Sequence, residues 1–295
     1  MPAQFDASEK TRSLYEDGDI ISPKKVNVHG SADAETKRFV GNIFSRAYSS
    51  AGEFMSRYGL KPSYRGQETV KLEPIKPEDG IVNGYTDGKM VAMNEYVIPT
   101  TRRYGKFRDW ISRQQGKFGR YIYSKFGSAE KAADTASYTA QHEVLHEYTQ
   151  LRPMVTKDGK VTKPFRDVLL KRLNEKYRSR LPKGMKWVSG LLTMVSYRPL
   201  MEGINEVATK NVYEGKGVDE IAETADSVTS YGRMERAAAL SLKELGKKDA
   251  FGFYRSSVSN VGVVDSFIDR FYRHYGDPLN AMKKAALEYV PLKAA

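Results

Sequence analysis

The spacing of apolar residues predicts that most of this chain is helical. From Ala34 to about Tyr58 the apolar residues recur at helical intervals and the pattern stops at Gly59, which predicts one amphipathic helix. Similar patterns predict helices over residues 102–126, 129–151, 164–177, 199–215, 219–229, 231–245, 263–275 and 278–289. In the helix over 199–215, Pro199 is expected to occupy the first turn.

Short apolar or alternating runs between Thr69 and Ile98 predict a small β region before the helical second half. Asp87-Gly88 is a hairpin signal, and the sequence after it predicts a strand from about Met90 to Ile98. A polar residue stays on an otherwise apolar face of this strand, which favours a position at the sheet edge. Strands followed by helices indicate an α+β fold.

The first part of the chain has no sustained period. We expect residues 1–33 to form a flexible arm or an inhibitory leader, and residues 34–295 to form one domain whose last part, 216–295, is helical. The pattern contains no signal peptide and no apolar run long enough for a membrane span. These absences lead us to expect a cytoplasmic protein with no membrane partner.

Composition narrows the possible chemistry. With 295 residues, of which 40% are hydrophobic, the chain can bury a core, and because it has no cysteine any metal must be held by histidine and carboxylate side chains. The formal net charge is +12, and the stretch from Arg152 to Lys186 carries 12 Lys and Arg against 3 Asp and Glu, which is +9. Residues 152–187 are therefore expected to be one of two things. They are either a solvated basic insertion or a surface that binds nucleic acid or an acidic partner.

One motif has a definite chemical meaning. In TAQHEVLHEYTQL, residues His142, Glu143 and His146 form the pattern HExxH. A spacing of four returns both histidines to one face of a helix, where they can hold one zinc ion with Glu143 beside it. The other two histidines, His29 and His274, are expected to have structural or surface roles.

Catalytic zinc commonly takes three protein ligands, so one ligand has to come from elsewhere in the chain. Glu202 and Glu206 are the candidates, since they lie one turn apart on a helix that is otherwise mostly apolar. A zinc-bound histidine usually donates its other ring N–H to a carboxylate. If Glu202 binds the metal, Glu206 can accept that bond one turn later, whereas one turn after Glu206 stands Lys210, which cannot. We therefore expect Glu202 as the ligand and Glu206 as its support or as the alternative ligand.

The pair HEVLHE and PLMEGINEVAT resembles the gluzincin zinc metallopeptidases, in their thermolysin-like and zinc-aminopeptidase branches. GYTDGKMVAMNEYVI is similar to the edge strand that pairs with substrate in that fold. The resemblance covers about residues 81–245 and implies a zincin-like core, with a small mixed sheet, an active-site helix and a glutamate helix. The 55 residues between His146 and Glu202 exceed the spacing in both branches, so residues 152–187 would be an insertion.

The resemblance implies a zinc-dependent peptidase in which a zinc-activated water attacks a peptide bond and Glu143 acts as general base. Peptides or proteins, acidic ones among them, are the expected substrates. By the same resemblance, Tyr231 is the expected donor to the developing oxyanion, with Tyr213 as its competitor. The alternative is a basic nucleic-acid-binding or virion structural protein with a structural or vestigial metal site, which would place the protein in a virion.

Overall fold

The computed structural model describes residues 26–62, 68–76, 83–87, 90–226 and 229–289. The described helices are α1 (Ala34–Arg57), α2 (Arg102–Ser112), α3 (Gly116–Phe126), α4 (Ala129–Leu145), α5 (Phe165–Arg180), α6 (Val188–Tyr213), α7 (Val218–Thr224), α8 (Ser230–Glu244), α9 (Ala250–Ser259), α10 (Val261–Tyr275) and α11 (Pro278–Tyr289). The described strands are β1 (Val26–His29), β2 (Leu60–Pro62), β3 (Glu68–Glu73), β4 (Gly84–Thr86), β5 (Val91–Asn94) and β6 (Met154–Thr156). The predicted mixture of a small sheet with many helices is confirmed.

The main sheet has four strands in the order β1-β3-β5-β4. Strands β1, β3 and β5 run parallel, and β4 pairs antiparallel with β5. The predicted hairpin is therefore present as the β4–β5 pair, although Gly88 of its turn lies outside the described residues. A second sheet is formed by the antiparallel pair of β2 and β6.

The predicted edge position of the strand after Asp87 is wrong. Strand β5 lies inside the sheet with all four residues buried, and β4 forms the edge next to it. The strand is also shorter than predicted, because the Asn94 side chain accepts a hydrogen bond from the backbone N–H of Tyr96 and starts a 3₁₀ turn, Glu95–Val97. In that turn the Glu95 carboxylate is buried and forms an ion pair with Arg103. The polar residue in the apolar run therefore belongs to a turn and does not indicate an edge strand.

Two helix predictions need correction here, and one helix was missed. The helix over residues 102–126 is two helices separated by residues 113–115, and the second begins at Gly116, whose φ of 70° is a left-handed conformation that a continuous helix does not allow. Pro199 lies inside α6, which begins eleven residues earlier at Val188. Because proline has no backbone N–H, the carbonyl of Val195 has no donor within the helix. Val195 lies on the exposed side of the helix. Helix α9 was not predicted.

The N-terminal prediction also changes. Residues Val26–His29, within the predicted arm, form strand β1 and pair in parallel with β3. Residues 30–33 are described and lead to the first helix, with Asp33 as its N-cap, whereas residues 1–25 of the predicted arm or leader lie outside the described residues.

Two hydrophobic cores organise the helices. The large one includes residues of α1, α4, α5, α6, α8, α9 and α10. The small one joins α2 and α3 to the start of α4 and consists of Tyr96, Val97, Tyr104, Phe107, Ile111, Ile122, Phe126 and Ala132. The hydroxyl of Tyr104 donates to the carbonyl of Phe126 at 2.9 Å, which ties α2 to the end of α3. Helices α2 and α3 therefore form a separate unit, called here the basic helix pair, that rests on α4.

The predicted basic insertion contains β6 and α5, and its cations reach acidic residues elsewhere in the fold. Arg152 is buried against Glu68 and Glu147. Three cations of α5 pair with acidic residues on or just after α10. These pairs are Arg172 Nε with Asp265 at 2.6 Å, Lys176 with Asp269 at 2.7 Å and Arg180 with Asp277 at 2.5 Å. These four cations of 152–187 therefore form ion pairs with acidic residues of the same protein. Binding of nucleic acid by this segment stays a prediction.

Among the described residues, no helix combines the length and the apolar character that a membrane crossing requires.

Candidate metal centre

His142 and Glu143 lie near the end of α4, and His146 is the first residue of the π-helical turn that continues it. The local sequence favours α4 strongly. The Ser128 side chain accepts from the backbone N–H of Lys131 at 3.2 Å and caps the helix, and four alanines in its first three turns favour the helical state. The predicted buried stripe is confirmed at Ala132, Ala136, Ala140 and Val144 and continues to Tyr148. The two histidines lie beside this stripe and face α6.

Helix α6 brings the third donor to the histidines. The Oε2 atom of Glu202 lies 3.4 Å from Nε2 of His142 and 3.3 Å from Nε2 of His146. One ligand atom from each of the three residues lies within 4.8 Å of the other two. Among the described residues this is the single such group of histidine and acidic side chains. The three residues are thus close enough to bind one metal ion.

The spacing and the donor types fit zinc. Histidine nitrogen and carboxylate oxygen bind zinc at about 2.0–2.2 Å, and in a tetrahedral site ligand atoms at that radius lie about 3.4 Å from one another. The two nitrogen–oxygen distances of 3.3 and 3.4 Å match that spacing. Three protein donors also leave one tetrahedral position for water or substrate.

Glu206 lies where a support for His142 is needed. Its Oε2 atom is 3.1 Å from Nδ1 of His142, on the opposite side of the imidazole ring from Glu202. The hydroxyl of Tyr138, one turn before His142 on α4, donates to Oε1 of Glu206 at 2.5 Å. Burial raises the pKa of Glu206, but the hydrogen bonds from His142 and Tyr138 outweigh it and hold this pKa below its ordinary value. Sequence spacing indicated Glu206 but gave no signal for Tyr138.

His146 is oriented from a part of the chain that is not α-helical. Residues His146–Leu151 form a π-helical turn, where an ordinary helix was predicted. In it, Gln150 Oε1 lies 2.6 Å from Nδ1 of His146, while Gln150 Nε2 donates to the carbonyl of Met201 at 3.2 Å and to the hydroxyl of Tyr254 at 3.0 Å. Turns of this kind are frequent at functional sites. Gln150 was not predicted, although it lies four residues after His146, a spacing that also brings side chains together on an ordinary helix.

The π turn is anchored by a buried charge network. Arg152, which is 3% exposed, binds Glu68 through two hydrogen bonds of 2.6 and 2.7 Å and also contacts Glu147. The hydroxyl of Tyr48 donates to Glu147 at 2.8 Å. Since Glu147 directly follows His146, this network holds the backbone that carries the second histidine.

Glu143 points toward the sheet edge. It is 7% exposed, and burial raises its pKa above the ordinary value, although the neighbouring histidines act in the opposite direction. A raised pKa brings a carboxylate closer to the range in which a general base works well. Strand β4 comes very near: a Cβ added to Gly84 would lie 3.3 Å from Cγ of Glu143 and 3.0 Å from the Thr139 side chain.

A groove of about 360 Å³ opens beside Glu202 and brings Tyr231 near the cluster. Its wall includes Met194, Val195 and Arg198 of α6 and Tyr231 of α8. Burial and the nearby carboxylates, Glu202 first, raise the pKa of Tyr231 to about 12. The tyrosine is nonetheless 49% exposed, so its ring borders the groove and remains accessible.

The other candidates lie outside the cluster. The Tyr213 hydroxyl donates to Asp134 at 2.6 Å and is committed there. His274 pairs with Glu244 at 2.7 Å, and His29 ends strand β1 with an exposed side chain.

No protein-family model, no curated protein and no solved structure matches this chain. The gluzincin likeness therefore rests on the two motifs and on the geometry of their side chains.

Proposed function

We propose that this protein is a zinc-dependent peptidase. The observation that carries the proposal is the convergence of His142, His146 and Glu202, with the buried carboxylate of Glu143 on the same helix as both histidines. Two imidazoles and one carboxylate are the ligand set of catalytic zinc in several hydrolases, whereas structural zinc sites commonly use four protein ligands with cysteine among them. The chain has no cysteine.

The residues divide the chemistry among them. A bound zinc ion supplies Lewis-acid activation of water and of a peptide carbonyl. Glu143 accepts the proton of the attacking water and passes it to the leaving amine. Tyr231 donates a hydrogen bond to the oxygen that gains negative charge, which requires its hydroxyl to be protonated, as a tyrosine hydroxyl is at neutral pH. The raised pKa of Tyr231 extends this protonation to higher pH.

The sheet edge supports a peptide as the substrate. Strand β4 is at the end of the sheet order, and Gly84 of that strand packs against Glu143. An edge strand presents unpaired backbone groups that an extended peptide can bind as an added strand. A peptide bound there would run past the carboxylate that acts as general base.

Metal analysis combined with one conservative variant tests the proposal. We expect about one zinc per purified wild-type chain, little zinc in His146→Ala, and unchanged zinc in His274→Gln, the matched control outside the cluster. Glu143→Gln should keep the metal and lose hydrolysis of a peptide library by a factor of about 100 or more. Wild-type protein that takes up no zinc, or Glu143→Gln that hydrolyses peptides at the wild-type rate, would overturn the proposal.

A further inference from the structure

The basic helix pair is the surface where positive charge is least neutralised. Residues 102–126 contain eight Lys and Arg and one acidic residue, Asp109, for a net charge of +7. In the described part of the chain Arg103 is the one cation of this set in an ion pair, with Glu95 at 2.7 Å. The cations of this set with no ion pair to any residue that the structure describes are Arg102, Lys106, Arg108, Arg113, Lys117, Arg120 and Lys125. This contrasts with residues 152–187, where cations of α5 pair with acidic residues near α10.

Aromatic rings stand among these cations. Phe118, Tyr121 and Tyr123 of α3 are each more than half exposed. Lys117 and Lys125 lie one turn before and one turn after Tyr121, so the three side chains share one face of the helix. The helix pair has its own buried core, so this face is presented by a supported surface.

The surface borders the candidate metal centre. The hydroxyl of Thr135 on α4 donates to the carbonyl of Lys125 at 2.9 Å and fixes the end of α3 against α4. Thr135 precedes His142 by two helical turns, which is about 10 Å along the helix axis.

We propose that the basic helix pair binds an acidic segment of a polypeptide substrate and holds the adjoining chain at the metal centre. The inference rests on the proposed peptidase function and names its substrate class. An extended chain advances about 3.3 Å per residue, so at least three residues are needed to cover the roughly 10 Å along α4 between Thr135, where α3 meets α4, and His142. The acidic residues should therefore stand about three or more positions from the cleaved bond. The segment 152–187, for which the sequence left open either a solvated insertion or such a role, faces α10 with three of its cations.

Binding to the catalytically disabled protein tests this surface separately from catalysis. The probe is a fluorescein-labelled peptide with a glutamate tract at one end, compared with a peptide that carries glutamines in its place, and both are measured by fluorescence anisotropy against Glu143→Gln. We expect the glutamate peptide to bind about tenfold more tightly at low salt and to lose this advantage as salt rises. This comparison changes the peptide only, so it does not depend on the folding of any surface variant.

Two triple variants locate the binding surface. The first neutralises Lys117, Arg120 and Lys125 as glutamines, and the second neutralises Lys171, Arg178 and Lys183, exposed cations of α5 and the turn after it. Both lower the net charge by the same amount. The first should reduce affinity for the glutamate peptide about tenfold, and the second by less than twofold.

Several results would overturn the inference. They are equal binding of the two peptides, an equal loss in both triple variants, and tighter binding of a single-stranded oligonucleotide or of phosphatidylserine vesicles than of the glutamate peptide. The peptidase proposal can fail independently of this one. If the protein prefers the glutamate peptide but cleaves no peptide, the binding surface is supported and the peptidase function is contradicted. If it cleaves peptides equally well with and without acidic residues, the peptidase function is supported and the binding surface is contradicted.

Discussion

Replacing Arg152 by methionine should strongly destabilise the protein. The side chain is 3% exposed and neutralises Glu68 of β3 and Glu147 of the π turn, both of which are buried. Methionine fills a similar volume, so the main effect is the loss of the charge and its hydrogen bonds. The two carboxylates would then be buried with their cation removed.

The magnitude follows from the burial of the pair. Breaking a buried ion pair by removing one partner costs about 3–5 kcal/mol. For a chain of 295 residues, each kcal/mol lowers Tm by about 1.6 °C, so a decrease of roughly 5–8 °C is expected. Because Glu147 follows His146, the same variant should also bind zinc more weakly.

Thermal unfolding followed by circular dichroism, together with urea titration, measures the effect. The control is Arg172→Met, which removes a part-exposed ion pair with Asp265 and should cost no more than about 1 kcal/mol. A second variant, Arg152→Met with Glu68→Gln, should regain part of the loss because one carboxylate is removed with its cation. If Arg152→Met is no less stable than Arg172→Met, the buried network does not support the fold as argued.

Four further predictions concern the metal and the groove. Chelation should lower Tm and added zinc should restore it, because at a free zinc concentration 100 times Kd binding stabilises the folded state by about 2.7 kcal/mol; an unchanged Tm on chelation would contradict this. Glu206→Gln should weaken zinc binding about 10–100-fold in a competition assay, with a smaller effect from Tyr138→Phe, and wild-type affinity in both would remove their supporting role. Tyr231→Phe should lower kcat about 100-fold with little change in KM, whereas Tyr213→Phe should leave kcat unchanged, and the reverse result would exchange their roles. Gly84→Val should reduce peptide turnover while zinc content is kept, since its side chain would meet Glu143 and Thr139; full turnover would place the substrate elsewhere.

Local periodicity predicted those parts of the molecule whose conformation is decided by nearby residues. Helix α1 and the stripe of Ala132, Ala136 and Ala140 follow from spacing alone, and so does the common face of His142 and His146. The choice of Glu202 over Glu206 also used only helical spacing and hydrogen-bond donors. It agrees with the observed position of Glu202 Oε2 between the two Nε2 atoms, and zinc binding by Glu202 itself stays a prediction.

Features that depend on distant partners could not be predicted. Strand β1 is four residues long and exists through its pairing with β3, about forty positions later. The π turn depends on Arg152, whose main partner Glu68 is 84 positions away. Pro199 is an ordinary start signal for a helix, and only the packing of the preceding residues of α6 shows that the helix begins before it. The charge count identified residues 152–187 as strongly basic. It could not show that three cations of α5 form ion pairs with acidic residues on or just after α10.

The protein positions its three candidate ligands by contacts that do not involve a metal. Asn205 of α6 donates to the backbone carbonyl of His142 at 2.9 Å, and Gln150 of the π turn donates to the carbonyl of Met201, next to Glu202. The first contact is made to the candidate ligand His142 itself, and the second to the residue next to Glu202. Both therefore hold α6 against the segment that carries the histidines. Small zinc domains fold only when the metal binds, because nothing else brings their ligands together. Here the helices are already fixed by the large core and by these hydrogen bonds, so metal binding has little ordering left to do and the energy of ligation goes into affinity.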